Sequence, residues 1–192
     1  MNIPNRLTVG RLVLSPLFFV VYFFPVWTHN AYALSAVFFI LIFLGIEISD
    51  FLDGFIARKY HLVTDIGKVL DPFADVVSRL TYFLCFASTG IMPLWIFLIL
   101  MYRELGIIFF RMMMIKKGIV VAASIWGKMK AVTYAVSGIL GVFLVSVQRL
   151  NVLSGVVQPL EIVLYIFFIL SAAASVASFA VYIAGGIKGG QE

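Results

Sequence analysis

Residues 50–75 read DFLDGFIARKYHLVTDIGKVLDPFAD, and this stretch places four carboxylates between two strongly apolar segments. Asp50 and Asp53 are three residues apart, and Asp71 and Asp75 are four residues apart. If both flanking segments are helices, each pair projects from one helical face. A carboxylate at bilayer depth costs about 2.5 to 3.5 kcal/mol, so four unpaired ones would cost on the order of 10 kcal/mol. Divalent cations are natural partners, because they take several carboxylate oxygens at once.

The remainder of the chain is apolar enough to indicate an integral membrane protein. Hydrophobic residues make up 63% of its 192 residues, and the mean hydropathy is +1.11. The formal net charge is +5, but the basic residues are not massed in a tail, so we expect no nucleic-acid partner. Cys85 is the only cysteine, which excludes an intrachain disulfide.

Six apolar segments follow one another along the chain, and each is a candidate to cross a hydrocarbon core of about 30 Å. They cover roughly residues 12–26, 31–57, 67–89, 92–113, 120–147 and 160–184. The sequence therefore predicts an all-α fold, an integral membrane bundle of six transmembrane helices that forms a single domain over residues 1–192. Residues 1–10 are typical of a short amphipathic N-terminal helix lying at the membrane interface.

The first residues also allow another interpretation. Arg6 and Arg11, the apolar run after them and residues 31–33 resemble the charged, apolar and small-residue parts of a cleavable signal peptide. We expect this segment to be retained as the first transmembrane helix.

The basic residues predict how the helices are oriented. The connections at residues 24–30 and 88–93 carry no Lys or Arg, and the third connection on that side carries only Arg149. The opposite side holds a larger basic set: Arg6, Arg11, Arg58, Lys59, Lys68, Lys116, Lys117, Lys128, Lys130 and Lys188. The positive-inside rule makes this side cytoplasmic, so both termini and the acidic stretch are predicted to face the cytoplasm.

Small residues accompany the aspartates. Gly54, Ala57 and Gly67 lack bulk, and such residues let a flat ligand or another backbone approach closely. Ordinary close helix packing would explain them if they stood alone. Beside four aspartates, we interpret them as part of a ligand site.

A second charged group is predicted from the fourth and fifth segments. Arg103 falls near the bilayer midplane, where an arginine needs a partner, and adjacent Glu104 is expected to face it poorly. Arg111, Lys128 and Lys130 complete a predicted basic pocket. As the alternative, these last three would be anchors at the membrane interface.

The acidic stretch resembles the signature of the CDP-alcohol phosphotransferases, D-x2-D-G-x2-A-R-x8-G-x3-D-x3-D. Every specified position and gap agrees, and the matching residues are Asp50, Asp53, Gly54, Ala57, Arg58, Gly67, Asp71 and Asp75. Outside it, Pro4, Asn5, Thr8, Arg11, Arg103, Glu104, Gly127, Lys128 and Lys130 are similar to the bacterial phosphatidylglycerophosphate synthases. That subgroup uses CDP-diacylglycerol and glycerol 3-phosphate. Val76 and Ala131 depart from its usual Lys and Thr, so inositol phosphate or serine stays open as acceptor.

The resemblance implies a function and a set of roles. It implies transfer of the phosphatidyl group of CDP-diacylglycerol to glycerol 3-phosphate with release of CMP, in phospholipid biosynthesis. It also implies a homodimer among membrane lipids, in a bacterial inner or plasma membrane, with the active site open to the cytoplasm. Two divalent ions, Mg²⁺ or Mn²⁺, would be held by Asp50, Asp53, Asp71 and Asp75, with Asp75 also the catalytic base.

Substrate-binding roles follow from the same resemblance. Gly54, Ala57 and Gly67 would accommodate the cytidine, while Asn5, Thr8 and Arg58 would contact the pyrophosphate of the CDP group. The phosphate of the acceptor would be bound by Arg103, Arg111, Lys128 and Lys130. Arginine suits this task through its bidentate fork.

A cation transporter is the alternative from a different class, because intramembrane carboxylates also mark ion pathways. The four aspartates are compatible with it. Deeper in the membrane, however, Glu47 is the only further acidic residue along these helices. A transporter would show ion flux and no release of CMP.

Overall fold

The computed structural model describes residues 2–60, 65–116 and 125–188, and the regular secondary structure in these ranges is α-helical. The helices are α1 (Ile3–Thr28), α2 (Tyr32–Lys59), α3 (Asp65–Ser88), α4 (Leu94–Lys116), α5 (Ile125–Leu150) and α6 (Ser154–Lys188). This confirms the predicted all-α class, and each predicted apolar segment falls largely within one helix.

Four of the described helices are long and apolar enough to cross a membrane. The qualifying ranges are Pro4–Thr28, Tyr32–Ile56, Ile125–Leu150 and Ser154–Gly186. The other two helices, α3 and α4, carry more charged residues within their apolar runs than these four ranges do. The structure therefore confirms a helical membrane protein by length and composition.

The helix ends differ from the predicted segments at α1 and at α6. A separate interfacial helix over residues 1–10 is not confirmed, because α1 continues without a break through Gly10. Pro4 lies in its first turn, where a missing backbone N–H costs nothing. Similarly, α6 begins at Ser154, six residues before the predicted segment. Thr64, a candidate N-cap of α3 by sequence, lies outside the described residues.

The chain divides into two compact units. Unit 1 comprises Met1–Phe86 and Val142–Val157, and unit 2 comprises Ala87–Gly141 and Gln158–Glu192. The core of unit 1 is aromatic, with neighbouring ring centroids 4.7 to 6.4 Å apart, mostly in edge-to-face or tilted arrangements. Its buried rings are Phe18, Tyr22, Phe39, Phe43, Tyr82, Phe83 and Phe86.

A polar clamp in unit 1 compensates for the proline near the end of α1. Pro25 has no N–H, so the carbonyl of Val21 loses its helical donor. The Ser35 hydroxyl donates to that carbonyl at 2.6 Å. Arg149 of α5 donates to the Ser35 oxygen at 2.8 Å and to the Tyr22 carbonyl at 2.7 Å. The clamp therefore ties α1, α2 and α5 together within this unit.

Unit 2 is held by hydrogen bonds between α5 and α6. The Tyr134 hydroxyl donates to Ser175 at 2.9 Å, and the Ser137 and Ser171 hydroxyl oxygens lie 3.0 Å apart. All four side chains are buried. Small hydroxyl residues permit close helix approach and satisfy one another where water is excluded. This ladder fixes the register of α6 against α5, the helix that carries Lys130.

Candidate active site

One face of α1 carries the polar side chains that meet the aspartates of unit 1. Thr8, Arg11 and Ser15 follow one another at spacings of three and four, so they share a helical face, and all three are buried. The Ser15 hydroxyl oxygen lies 3.0 Å from that of Ser78 in α3. The Ser78 hydroxyl donates to the Ala74 carbonyl one turn earlier in α3, at 2.7 Å, and so can accept from Ser15. The contact between Ser15 and Ser78 fixes α1 against α3.

Arg11 joins the two aspartates of α2. Its side chain is 1% exposed, and its terminal nitrogens donate to Asp50 and, at 2.9 Å, to Asp53 Oδ2. The Asp53 side chain is buried, whereas the Asp50 side chain is 41% exposed. A buried guanidinium with two carboxylates at its terminal nitrogens is a charge-assisted, fork-like arrangement. The pair on α2 is thereby neutralised in part from within the protein.

Thr8 connects the aspartates of α2 with those of α3. Its hydroxyl oxygen lies 2.6 Å from Asp71 Oδ1, 3.2 Å from Asp53 Oδ2 and 3.1 Å from the Pro4 carbonyl oxygen. A hydroxyl has one proton, so it can satisfy only one of these three acceptors at a time. Asp53 and Asp71 therefore lie within reach of one hydroxyl, which has fewer protons to donate than there are oxygens around it.

The fourth aspartate has a different partner. Asp75 Oδ1 lies 2.8 Å from a terminal nitrogen of Arg79, one turn further along α3. The two side chains are 29% and 19% exposed, so water reaches both. Of the predicted acidic set, the structure thus brings Asp50, Asp53 and Asp71 together through α1, while Asp75 is held by its own helix.

These residues fit a divalent cation by their chemistry. Carboxylate oxygens are the donors that hard cations prefer, and one hydroxyl proton facing several oxygens leaves negative charge that a cation would satisfy. Within the described ranges, no group of three or more His, Cys, Asp or Glu side chains converges as a metal cage. The aspartates contact Arg11, Thr8 and Arg79 instead. To coordinate a metal ion, their carboxylates would exchange these contacts for contacts with the ion.

The residues expected to contact the CDP group lie on α1, α2 and α3. Asn5 is buried one turn before Thr8, Gly54 is half-buried beside Asp53, and Gly67 is buried in the first turn of α3. Ala57 and Arg58 belong to the last turns of α2, and their side chains lie outside the described part of the structure. Residues 61–64 also lie outside it.

Unit 2 contains a buried charged triad of Arg103, Glu104 and Lys130. Glu104 Oε1 lies 3.0 Å from an Arg103 terminal nitrogen and 2.5 Å from Lys130 Nζ. Arg103 also donates to the Ser178 hydroxyl at 2.9 Å, and Lys130 Nζ lies 4.6 Å from the centre of the Tyr134 ring. The expectation that Arg103 and Glu104 face each other poorly is wrong, because the long arginine side chain folds back to its neighbour.

The other two members of the predicted basic pocket are placed differently. Arg111 and Lys128 are exposed, whereas Arg103 is 8% exposed and Lys130 is buried. The triad contains two cations and one anion, so it carries a surplus positive charge. Among the described residues, Arg103 Nε is a buried nitrogen with no hydrogen-bond partner. Of the four predicted basic residues, the structure thus brings Arg103 and Lys130 together at Glu104, while Arg111 and Lys128 are exposed.

Two residues of these clusters were not among the predicted site residues. Arg11 matches the bacterial phosphatidylglycerophosphate synthases and counts among the cytoplasmic charges, but the sequence analysis assigns it no role in the site, although its spacing from Thr8 places both on one face of α1. Glu104 matches the same subgroup, but the sequence analysis assigns it no role in the site and expects it to face Arg103 poorly. For Glu104 the sequence holds no local signal, because Lys130 lies on a different helix.

An acidic cluster within a chain of long apolar helices is typical of an integral membrane protein. The family described as CDP-alcohol phosphatidyltransferase matches residues 1–169, and the chain belongs to this family. It is therefore a transferase, and the cation-transporter alternative is set aside. Members of this family generally depend on a divalent metal ion.

Three similar proteins carry the same name. The CDP-diacylglycerol–glycerol-3-phosphate 3-phosphatidyltransferase of Aquifex aeolicus is 38% identical over 175 residues, which cover 89% of this chain and 92% of that protein. The protein of the same name from Treponema pallidum is 38% identical over 140 residues, or 70% of this chain and 65% of its own length. That from Bacillus subtilis is 32% identical over 151 residues, or 72% and 76%.

Proposed function

We propose that this protein transfers the phosphatidyl group of CDP-diacylglycerol to a hydroxyl of glycerol 3-phosphate, releasing CMP, in phospholipid biosynthesis. The names of the Aquifex, Treponema and Bacillus relatives support the choice of both substrates. The observation that carries the proposal is the acidic cluster, in which Thr8 and Arg11 contact Asp50, Asp53 and Asp71. This cluster lies in a chain that belongs to the CDP-alcohol phosphatidyltransferase family.

The aspartates are assigned as the metal ligands. Asp50, Asp53, Asp71 and Asp75 would hold two divalent ions, Mg²⁺ or Mn²⁺. When bound, these ions supply positive charge at the pyrophosphate and at the departing CMP. Carboxylates on two helices suit this task, because each helix contributes one pair at a spacing of one turn.

Asp75 is assigned as the general base. It accepts the proton of the acceptor hydroxyl, whose oxygen forms a bond to the lipid-side phosphorus while the bond from that phosphorus to the CMP oxygen breaks. The contact with Arg79 orients the carboxylate. Asp75 is also part-exposed, so a polar acceptor can reach it.

The CDP group is assigned to residues of the same helices. Asn5, Thr8 and Arg58 would contact the pyrophosphate. Gly54, Ala57 and Gly67 would accommodate the cytidine, since residues without bulk permit close approach of a flat base. Burial of Asn5, Thr8 and Gly67 supports a site built in advance of substrate binding.

The phosphate of glycerol 3-phosphate is assigned to the cations of α4 and α5, which are Arg103, Arg111, Lys128 and Lys130. The surplus charge of the buried triad supports this assignment for Arg103 and Lys130. Arg103 Nε, which has no hydrogen-bond partner among the described residues, can donate a hydrogen bond to a phosphate oxygen. A neutral acceptor such as serine would leave these donors without a partner.

Arg103→Ala is expected to raise the apparent KM for glycerol 3-phosphate about 10- to 100-fold, because a hydrogen bond to a charged group contributes about 1.5–3 kcal/mol. The dependence of the rate on CDP-diacylglycerol should stay near that of the parent. Glu104 keeps Lys130 as its partner in this variant, so the fold should persist. Initial rates of CMP release with each substrate varied in turn measure both effects. An unchanged glycerol 3-phosphate dependence would remove Arg103 from the acceptor site.

The topology completes the proposal. All six helices, including the charged α3 and α4, cross the membrane, and residues 1–10 lie at its interface. The active site and both termini face the cytoplasm of a bacterial cell, as the distribution of Lys and Arg favours. The chain works as a homodimer, and residues 1–192 act as one functional domain.

Purified protein tests the reaction directly. CMP release from CDP-diacylglycerol is measured with Mg²⁺ or Mn²⁺ and with glycerol 3-phosphate, inositol phosphate, serine or no acceptor in parallel. Release with glycerol 3-phosphate alone is the expected result. Release with a different alcohol would keep the chemistry and reassign the basic residues, and no release with any acceptor would overturn the proposal.

A further inference from the structure

Arg11 supplies the positive charge that compensates Asp50 and Asp53, the two aspartates of α2. Its guanidinium is 1% exposed and contacts both Asp50 and Asp53. Its remaining nitrogen, Nε, is buried without a hydrogen-bond partner among the described residues. The group therefore supplies one positive charge to two carboxylates, yet its own hydrogen-bonding capacity is not used up.

We propose that Arg11 is a built-in counter-ion of the aspartate cluster, which holds Asp50 and Asp53 in the metal-free protein and releases them when a divalent ion binds. The inference rests on the proposed role of the aspartates as metal ligands. It assigns to the metal-free protein a cluster that is already assembled and partly neutralised. The metal then competes with a side chain of the protein itself.

Competition follows from the contacts. Asp53 Oδ2 already accepts a hydrogen bond from Arg11 at 2.9 Å and lies 3.2 Å from the Thr8 oxygen, so a metal ion that binds this oxygen must compete with the Arg11 contact. A divalent ion bound at this oxygen would also stand close to the positive guanidinium, and like charges repel. Metal binding and the Arg11 contact therefore oppose each other, and the observed metal affinity is lowered by the stability of the Arg11 contact.

The released guanidinium has a suitable new partner. A pyrophosphate presents paired anionic oxygens that match the donor fork of arginine, and Arg11 brings an unused Nε donor as well. A nucleoside diphosphate group bound at the cluster would thus stabilise the released position of Arg11. Metal and CDP-lipid should each raise the affinity for the other, and Arg11 should carry part of this coupling.

A purely structural role for Arg11 predicts a different outcome. In that case removing the side chain would weaken the fold and leave the affinity for metal unchanged or reduced. In the counter-ion role, removing it weakens the metal-free protein and strengthens metal binding. Metal affinity therefore separates the two roles without any assay of activity.

The test is Mn²⁺ binding to the detergent-purified protein, followed by the electron paramagnetic resonance signal of free Mn²⁺. Arg11→Gln is expected to bind Mn²⁺ about tenfold more tightly than the parent, as expected for loss of one competing charged hydrogen bond. Arg11→Lys keeps the charge but cannot serve both carboxylates equally, so its affinity should lie between the two. Mn²⁺ should also raise the midpoint of thermal unfolding more in Arg11→Gln than in the parent.

Controls separate this inference from the proposed function. Asp71→Asn should weaken Mn²⁺ binding in the parent and in the Arg11→Lys background, which places the counted ions at the cluster. Equal or weaker binding by the Arg11 variants, with normal binding by the parent, would overturn the counter-ion role alone. Absence of Mn²⁺ binding by the parent would overturn the metal assignment and the counter-ion role together. Arg11→Lys decides the matter if Arg11→Gln does not fold.

Discussion

Asp75→Asn is expected to lower the rate of CMP release at least about 1000-fold, because a general base contributes about 10²- to 10⁴-fold and this residue is also an assigned metal ligand. Asparagine has the same shape but cannot accept the hydroxyl proton. Its amide also offers the metal a neutral oxygen in place of an anionic one. The loss should appear in the maximal rate at saturating glycerol 3-phosphate.

The fold should tolerate this change. Asp75 is 29% exposed, and its contact with Arg79 is a pair within one helix, which typically contributes only a few tenths of a kcal/mol. Size-exclusion elution and thermal unfolding should match those of the parent. Glu161→Gln, at an exposed acid of α6, is the matched control and should retain the parental rate. More than a tenth of the parental rate in Asp75→Asn would remove the base assignment.

Glu104→Gln is expected to lower the free energy of unfolding by about 3–5 kcal/mol, the typical cost of leaving a buried charge without its partner. The carboxylate of Glu104 serves Arg103 and Lys130 at once, and all three side chains are buried. The neutral amide keeps the volume and leaves two cations facing each other. Unfolding by SDS titration in mixed micelles measures the loss.

A second substitution shows whether charge is the cause. Lys130→Met in the Glu104→Gln background removes one of the two uncompensated cations, so part of the lost stability should return. Glu161→Gln again serves as the control, because the same chemical change at an exposed position should cost little. A cost below about 1 kcal/mol for Glu104→Gln would show that the triad is not a stabilising centre.

The sequence predicted the helices well because apolar length is a local property. A run of residues such as that in α2 identifies a membrane-crossing helix without any knowledge of its neighbours. The ends were less predictable. Whether α1 breaks near Gly10 depends on the contacts of Thr8 and Arg11 with other helices, which hold the first turns in one continuous helix.

The partners of charged residues could be predicted only in part. The spacing of Asp50 and Asp53 predicted a shared helical face, but not that Arg11, 39 residues before Asp50, would be their partner. Likewise, the position of Arg103 predicted a need for compensation, yet the contribution of Ser178 comes from a helix 75 residues away in the chain. Such pairings depend on tertiary packing, which periodicity does not encode.

The most direct test of the account is to identify the lipid formed from CDP-diacylglycerol and glycerol 3-phosphate whose free hydroxyls carry labelled oxygen. The account predicts one molecule of phosphatidylglycerophosphate for each CMP released, with the label retained between glycerol and the new lipid phosphate, because the acceptor hydroxyl attacks that phosphorus. Unlabelled phosphatidic acid formed with CMP would show that water is the acceptor. That result, or the absence of any lipid product, would contradict the proposed transfer.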